Sequence, residues 1–157
     1  YNVQATPNSI FRECTGFYST SCTNPRPEWK WNARVGYSFG PAEVSLLWNH
    51  LSSVELETPR PAGIPLDTRA PGNTTGAYNS ILPAFRQIDS YDSFDLSVRF
   101  DVTDNFEMGL LVENLLDEKP PLVGTGVGGT AFNSGNTFPT TYDVIGRAYT
   151  VNARLRF

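Results

Sequence analysis

No run of about 18 apolar residues occurs in this chain, so no helix of it can cross a bilayer. The mildly negative mean hydropathy excludes less, because the alternating strands of a spanning β-barrel average to near neutrality. Basic residues are too few for a nucleic-acid partner: 12 Lys and Arg stand against 16 Asp and Glu, for a net charge of −4. There is one histidine, His50, with no Ser or Cys nucleophile placed beside it by any motif. Zinc spacing is missing too, and the expectation is a non-enzyme with no metal and no cofactor. The chain opens at Tyr1 with no initiator Met, basic stretch or apolar leader, and is expected to be a piece of a longer protein.

What is present is alternation. From Arg147 to Phe157 the odd positions Tyr149, Val151, Ala153, Leu155 and Phe157 are apolar, while Thr150, Asn152, Arg154 and Arg156 are polar. That period predicts a β-strand with one dry and one wet face, and about 9–11 residues is the length that crosses a bilayer at a tilt near 45°. A membrane barrel turns its apolar residues outward onto lipid and its polar ones inward, the reverse of a soluble barrel.

The same pattern recurs upstream, with no helical period. Strand one, about 28–39, sets Trp29, Trp31, Ala33, Val35, Tyr37 and Phe39 against Lys30, Asn32, Arg34, Gly36 and Ser38. Gly40-Pro41-Ala42-Glu43 predicts a tight turn into strand two, about 42–52, where Leu47 and Leu51 interrupt an otherwise regular alternation. Strand three, about 91–102, turns Phe94, Leu96, Val98, Phe100 and Val102 one way and Asp95, Ser97, Arg99 and Asp101 the other. After Thr103-Asp104-Asn105, strand four runs about 106–116, and the fifth strand is about 147–157. The connections 53–90 and 117–145 are long and rich in Gly, Pro, Thr and Asn. Soluble domains seldom carry two such loops, whereas outer-membrane barrels have short periplasmic turns and long extracellular loops. With Phe157 at the periplasm, both short turns fall on that side, and residues 1–27 become an extracellular loop.

Cys14 and Cys22 lie in a segment rich in Ser, Thr, Asn and Pro. A local disulfide is expected, closing a loop worth roughly 2–3 kcal/mol and implying an oxidising compartment. Two unrelated thiols are the alternative.

Strand four ends Val112-Glu113-Asn114-Leu115-Leu116-Asp117-Glu118-Lys119-Pro120, and a Gly-rich stretch then leads to Pro139-Thr140-Thr141-Tyr142-Asp143-Val144-Ile145-Gly146-Arg147 and a last strand ending on Phe157. This closely resembles the C-terminal end of TonB-dependent receptors, with their E-N-L-x-D-x-x-P strand end, P-x-x-Y-D-x-x-G-R loop exit and terminal aromatic. The segment around Cys22, with Pro25 and Pro27 before Trp29, is similar to the corresponding loop of many large members. The resemblance implies an all-β, antiparallel, up-and-down transmembrane wall: about five C-terminal strands of a barrel of about 22, with residues 1–157 forming one segment of it. It also implies localisation in the bacterial outer membrane, and import of a scarce nutrient, an oligosaccharide, a siderophore or similar. The partners implied are outer-membrane lipid, the rest of the receptor with its plug, the TonB system of the inner membrane, and the cargo. Five strands at about 4.8 Å cannot close, since the smallest membrane barrels have about eight.

Inward-facing Lys30, Arg34, Asp95, Arg99, Asp101, Glu107, Glu113, Arg154 and Arg156 are expected to form a mixed-sign wall of ion pairs, with Glu107 near Arg156. Outward Trp29, Trp31, Phe39, Trp48, Phe94, Phe100, Phe106 and Tyr149 lie where interfacial aromatic girdles belong, a better account than a sugar-stacking surface. Cargo contact is expected in the outer loops, from Tyr18, Tyr78, Phe85, Arg86, Phe132, Asn133, Phe138 and Tyr142, against the alternative that these pack loop on loop. Gly124-Thr125-Gly126-Val127-Gly128-Gly129 spells G-x-G-x-x-G without the strand-to-helix setting a nucleotide needs. Asp89, Asp92 and Asp95 alternate faces along a strand and do not converge on calcium. The competing reading from another class is a soluble, secreted β-sandwich that binds carbohydrate.

Overall fold

The computed structural model describes residues 2–3, 12–19, 22–57, 81–124 and 136–157. These residues are all-β, with a short 3-10 turn at Pro83–Phe85. The strands are β1 (Asn2–Val3), β2 (Arg12–Glu13), β3 (Phe17–Tyr18), β4 (Lys30–Phe39), β5 (Ala42–Leu51), β6 (Val54–Leu56), β7 (Gln87–Ile88), β8 (Tyr91–Thr103), β9 (Phe106–Glu113) and β10 (Ala148–Leu155). Two compact units share them, one of Lys30–His50, Asp92–Lys119 and Asp143–Phe157, the other of Tyr1–Trp29, Leu51–Tyr91 and Pro120–Tyr142.

The first unit is the five-stranded sheet β10-β9-β8-β5-β4. Its strands are the five expected from alternation, with β4, β5 and β8 at 10, 10 and 13 residues. The β9–β10 register pairs Glu107 with Arg154, Gly109 with Asn152 and Leu110 with Val151, so like faces meet across the ladder. A bulge between Asp101 and Thr103 shifts the β8–β9 register beside the short turn. Gly40, at φ +54, takes the left-handed conformation that starts the β4–β5 turn, and Pro41 follows it. The amide of Asp101 donates to Pro41 O at 2.8 Å and that of Arg156 to Asn105 O at 2.9 Å. Both short turns and the chain's last residues therefore share one end of the sheet, as the expected connectivity required. β9 stops at Glu113 rather than near residue 116, because Asn114 (φ 49) and Asp117 (φ 56) are left-handed and turn the chain out of the ladder. Among the described residues, β4 and β10 pair along one side only.

The second unit organises segments that the sequence reads only as loops. β3 pairs parallel with β6 and β6 antiparallel with β7, a small sheet drawn from three distant stretches. Its core is Tyr18, Leu51, Val54, Leu56, Ile88, Tyr91, Val123, Phe138 and Tyr142, with Ile81 packed against it. Two edge-on ring pairs, Tyr18 with Phe138 at 6.1 Å and Tyr91 with Tyr142 at 5.4 Å, fix its aromatic packing. The Cys14–Cys22 disulfide is formed and buried, its Cα atoms 5.6 Å apart. Within the closed loop, Ser19 Oγ accepts from the Cys22 amide at 3.0 Å and donates to Glu57 at 2.6 Å, so the buried carboxylate has a partner.

Candidate functional site

Three surfaces can carry function: the two faces of the large sheet and the core of the second unit. The apolar face follows directly from the period-2 pattern. Val35, Tyr37, Tyr149 and Val151 on the outer strands keep 68, 71, 65 and 67% of their surface exposed, and Phe100, Val102, Met108, Leu110 and Leu155 are exposed as well. Among the described residues no second sheet covers this face, and its apolar side chains stand exposed.

At the end away from the short turns, this face carries a connected aromatic cluster. Trp31 meets Trp48 edge-on at 4.3 Å and stacks on His50 at 5.1 Å, while Trp48 stacks on Phe94 at 5.8 Å. Asp92 Oδ1 accepts from the Trp48 indole at 2.7 Å and lies 2.8 Å from His50 Nδ1. His50 thus hydrogen-bonds near the end of β5. Its partner Asp92 was not anticipated from the sequence, although Trp48 and His50 share a face of β5.

The opposite face is polar. Arg34 donates to Ser45 at 3.3 Å, Arg99 pairs with Glu43, and Arg156 lies 3.5 Å from Glu107. Glu107 and Arg156 were expected to meet; Glu43, read only as a turn residue, supplies the unforeseen partner of Arg99. Asn49 donates to Asp95 at 3.2 Å, and the Asn152 amide lies over Gly109, where a Cβ would collide with it. These pairs are half-exposed, so each contributes about 0–1 kcal/mol and chiefly orients the wall. Pro41, Arg99, Asp101, Asp104, Arg154 and Arg156 are among the residues lining an open hollow of about 630 Å³ beside the short turns. Asp92 and Asp95 bond on opposite faces, so the Asp89, Asp92, Asp95 series does not converge on an ion.

The expected cargo residues divide. Tyr18 and Phe138 are 0% exposed and Tyr142 2%, and all three pack in the core of the second unit. Burial pushes the Tyr142 phenol well above its usual range, and its hydroxyl has no hydrogen-bond partner among the described residues. Phe85 stays 38% exposed on the 3-10 turn, anchored where the Tyr18 hydroxyl donates to Phe85 O at 2.5 Å. Arg86 Nε donates to Ile81 O at 3.0 Å and thereby closes the same turn. Tyr78, Phe132 and Asn133 lie outside the described residues.

One group the sequence named only as motif letters proves structural. The Asn114 side chain links the end of β9 to Asp143, and Asp117 reaches the amide of Arg147. The E-N-L-x-D and Y-D-x-x-G-R motifs thus bind each other. Asp117 is held below the usual carboxylate range by its hydrogen bond to Lys119, then by the Arg147 amide.

No protein-family model matches the chain, and no curated protein matches it. Among solved structures, a mutant of the ferric enterobactin receptor PfeA from Pseudomonas aeruginosa, in complex with enterobactin, aligns over 83% of this chain and 17% of its own, at 15% identity and a TM-score of 0.51. A second PfeA mutant gives 15% identity, 83% of this chain, 16% of its own and the same TM-score of 0.51. The copper transporter OprC aligns over 85% of this chain and 18% of its own at 21% identity, with a TM-score of 0.43 on which nothing rests. The chain spans about a sixth of the length of the receptors it matches, and at these identities the likeness is one of fold.

Proposed function

The chain has the fold of a TonB-dependent receptor barrel wall, and from that premise we propose that it serves as lipid-facing wall and outer vestibule in an outer-membrane importer. One observation carries the reading: the exposed apolar face of Val35, Tyr37, Tyr149 and Val151, backed by a face of paired charges. Hydrocarbon wets the first and water the second. Trp31, Trp48 and Phe94 form the outer interfacial girdle, where ring faces meet lipid and the indole N–H finds a polar partner.

The remainder of the receptor, its plug and the inner-membrane TonB system complete the machine, and the paired charges face that plug. This chain itself performs no covalent chemistry. The cargo is a scarce, bulky nutrient; PfeA was solved with enterobactin, which supports a siderophore as the first class to try, with oligosaccharides second. Among the described rings expected to contact cargo, Phe85 is exposed on its turn and available for it.

The test uses the full-length receptor, purified from outer membranes. Saturable binding of a ferric siderophore or an oligosaccharide, lost when the loops are trimmed, is the expected result. Recovery of the protein as a soluble monomer without detergent would sink the wall reading.

A further inference from the structure

The two ends of the segment 120–142 are joined by one side-chain amide. Asn114 follows β9 in a left-handed conformation, φ 49, and is 2% exposed. Its backbone amide donates to Asp95 on the neighbouring β8 at 2.9 Å. The side-chain Nδ2 donates twice, to Glu118 O at 3.0 Å and to Asp143 Oδ2 at 3.0 Å, while Oδ1 accepts from the Glu118 amide at 2.8 Å. Both donors of the group and its oxygen are therefore engaged.

A second carboxylate works in parallel. Asp117 Oδ1 accepts from the Arg147 amide at 3.1 Å, and Oδ2 pairs with Lys119 at 2.8 Å. Gly146, at φ +82, lets the chain pass there: a Cβ on it would lie 2.9 Å from Asp117 Oδ1. The lattice begins where the β9–β10 ladder ends, at the Glu113–Ala148 pair, and adds to it bonds the ladder does not make.

We infer that Asn114 is a positioning residue, the centre of an amide latch that clamps residues 114–119 to 143–147 where the β9–β10 ladder ends. Residue chemistry supports the choice. An aspartate at 114 would have no hydrogens to give and would set its charge against Asp143 and the Glu118 carbonyl, whereas one planar amide offers two donors and an acceptor at short reach. Pinning both ends shortens the closure that the intervening chain must make. That the latch also presents the segment to cargo rests on the receptor reading above; the latch itself does not.

Hydrogen exchange on the full-length, folded receptor tests it. Asn114→Gly keeps the left-handed backbone and removes the amide; it is expected to speed exchange of the Glu118 and Arg147 amides by about tenfold, the effect of losing a hydrogen bond or two, with the β9 and β10 ladders unchanged. Asn114→Asp keeps an oxygen for the Glu118 amide but opposes Asp143, and is expected to speed exchange at Arg147. Combining it with Asp143→Asn reverses donor and acceptor across the 114–143 pair and is expected to restore protection at Arg147. Unchanged exchange in Asn114→Gly, acceleration spread along β9 and β10, or failure of the double variant to recover would each overturn the latch. Cargo binding is read on the same samples: a receptor that binds no cargo yet shows the exchange pattern loses the receptor reading and keeps the latch.

Discussion

Trp48 donates its indole N–H to Asp92 at 2.7 Å, on the apolar side of the sheet. A carboxylate on that side is tolerated where headgroups and water begin, and His50, 2.8 Å away, shares the burden. From Phe94 to Val102 along β8 every residue on that side is apolar. Eight residue steps amount to about 27 Å of strand, or roughly 20 Å of depth at a tilt near 40°, close to the apolar band of an outer-membrane barrel. On the wall reading proposed above, the Trp48–Asp92 bond would lie at the upper limit of hydrocarbon, and the first prediction follows from what lies beneath it.

Neighbouring positions on β10 should respond oppositely to the same charge. Val151→Arg places a guanidinium on the lipid side and is expected to cost about 2–4 kcal/mol near mid-depth, whereas Thr150→Arg, one residue away on the polar side, should cost under about 1 kcal/mol. Urea unfolding of the full-length receptor in lipid measures both. Equal costs would mean that the two faces see the same medium.

Gly146→Ala combines two penalties, a left-handed φ and a Cβ 2.9 Å from Asp117 Oδ1. A loss of about 1–2 kcal/mol in local stability at Arg147 is expected, read from amide exchange, with β4 and β5 unaffected.

Changing Cys14 and Cys22 together to Ser should leave membrane insertion intact and remove roughly 2–3 kcal/mol from the second unit, through the Ser19–Glu57 contact held inside the loop. Proteolysis between residues 14 and 26 should quicken while the gel mobility of the folded barrel holds. Failure to insert at all would mean that this loop is part of the wall.

Acid should loosen the latch at its Asp117 arm. The pKa of this carboxylate is lower folded than unfolded, so its contribution is fully present above about pH 4 and disappears as pH falls through the depressed folded value. Exchange at Arg147, corrected for intrinsic pH dependence, should show its protection fall below pH 4, and Asp117→Asn should abolish that step.

Much of the sheet was legible because period-2 alternation is local. A reader of Val35, Tyr37 and Phe39 needs no distant partner to assign a face, and Tyr149 to Phe157 declares itself the same way. The bulge at Asp101 was not legible, since it arises from matching β8 to β9 rather than from either strand alone. Nor was the burial of Tyr18, Phe138 and Tyr142, whose core assembles from residues 18 to 142 and whose aromatic character suits packing and ligand contact equally. The early end of β9 was written in Asn114, a residue that tolerates left-handed backbone, but the reason for it sits at Asp143. Local periodicity thus set the wall, and long-range pairing set the second unit and the latch.

β4 offers the hydrogen-bonding groups of Lys30–Phe39 along a side that no described strand occupies. Whatever segment docks there inherits its phase: to keep carbon beside carbon, it must point greasy side chains the way Val35 and Tyr37 do, and one slipped residue would invert every one of them. The neighbour's sequence is thereby constrained before it is known, as a zipper's first tooth dictates the next.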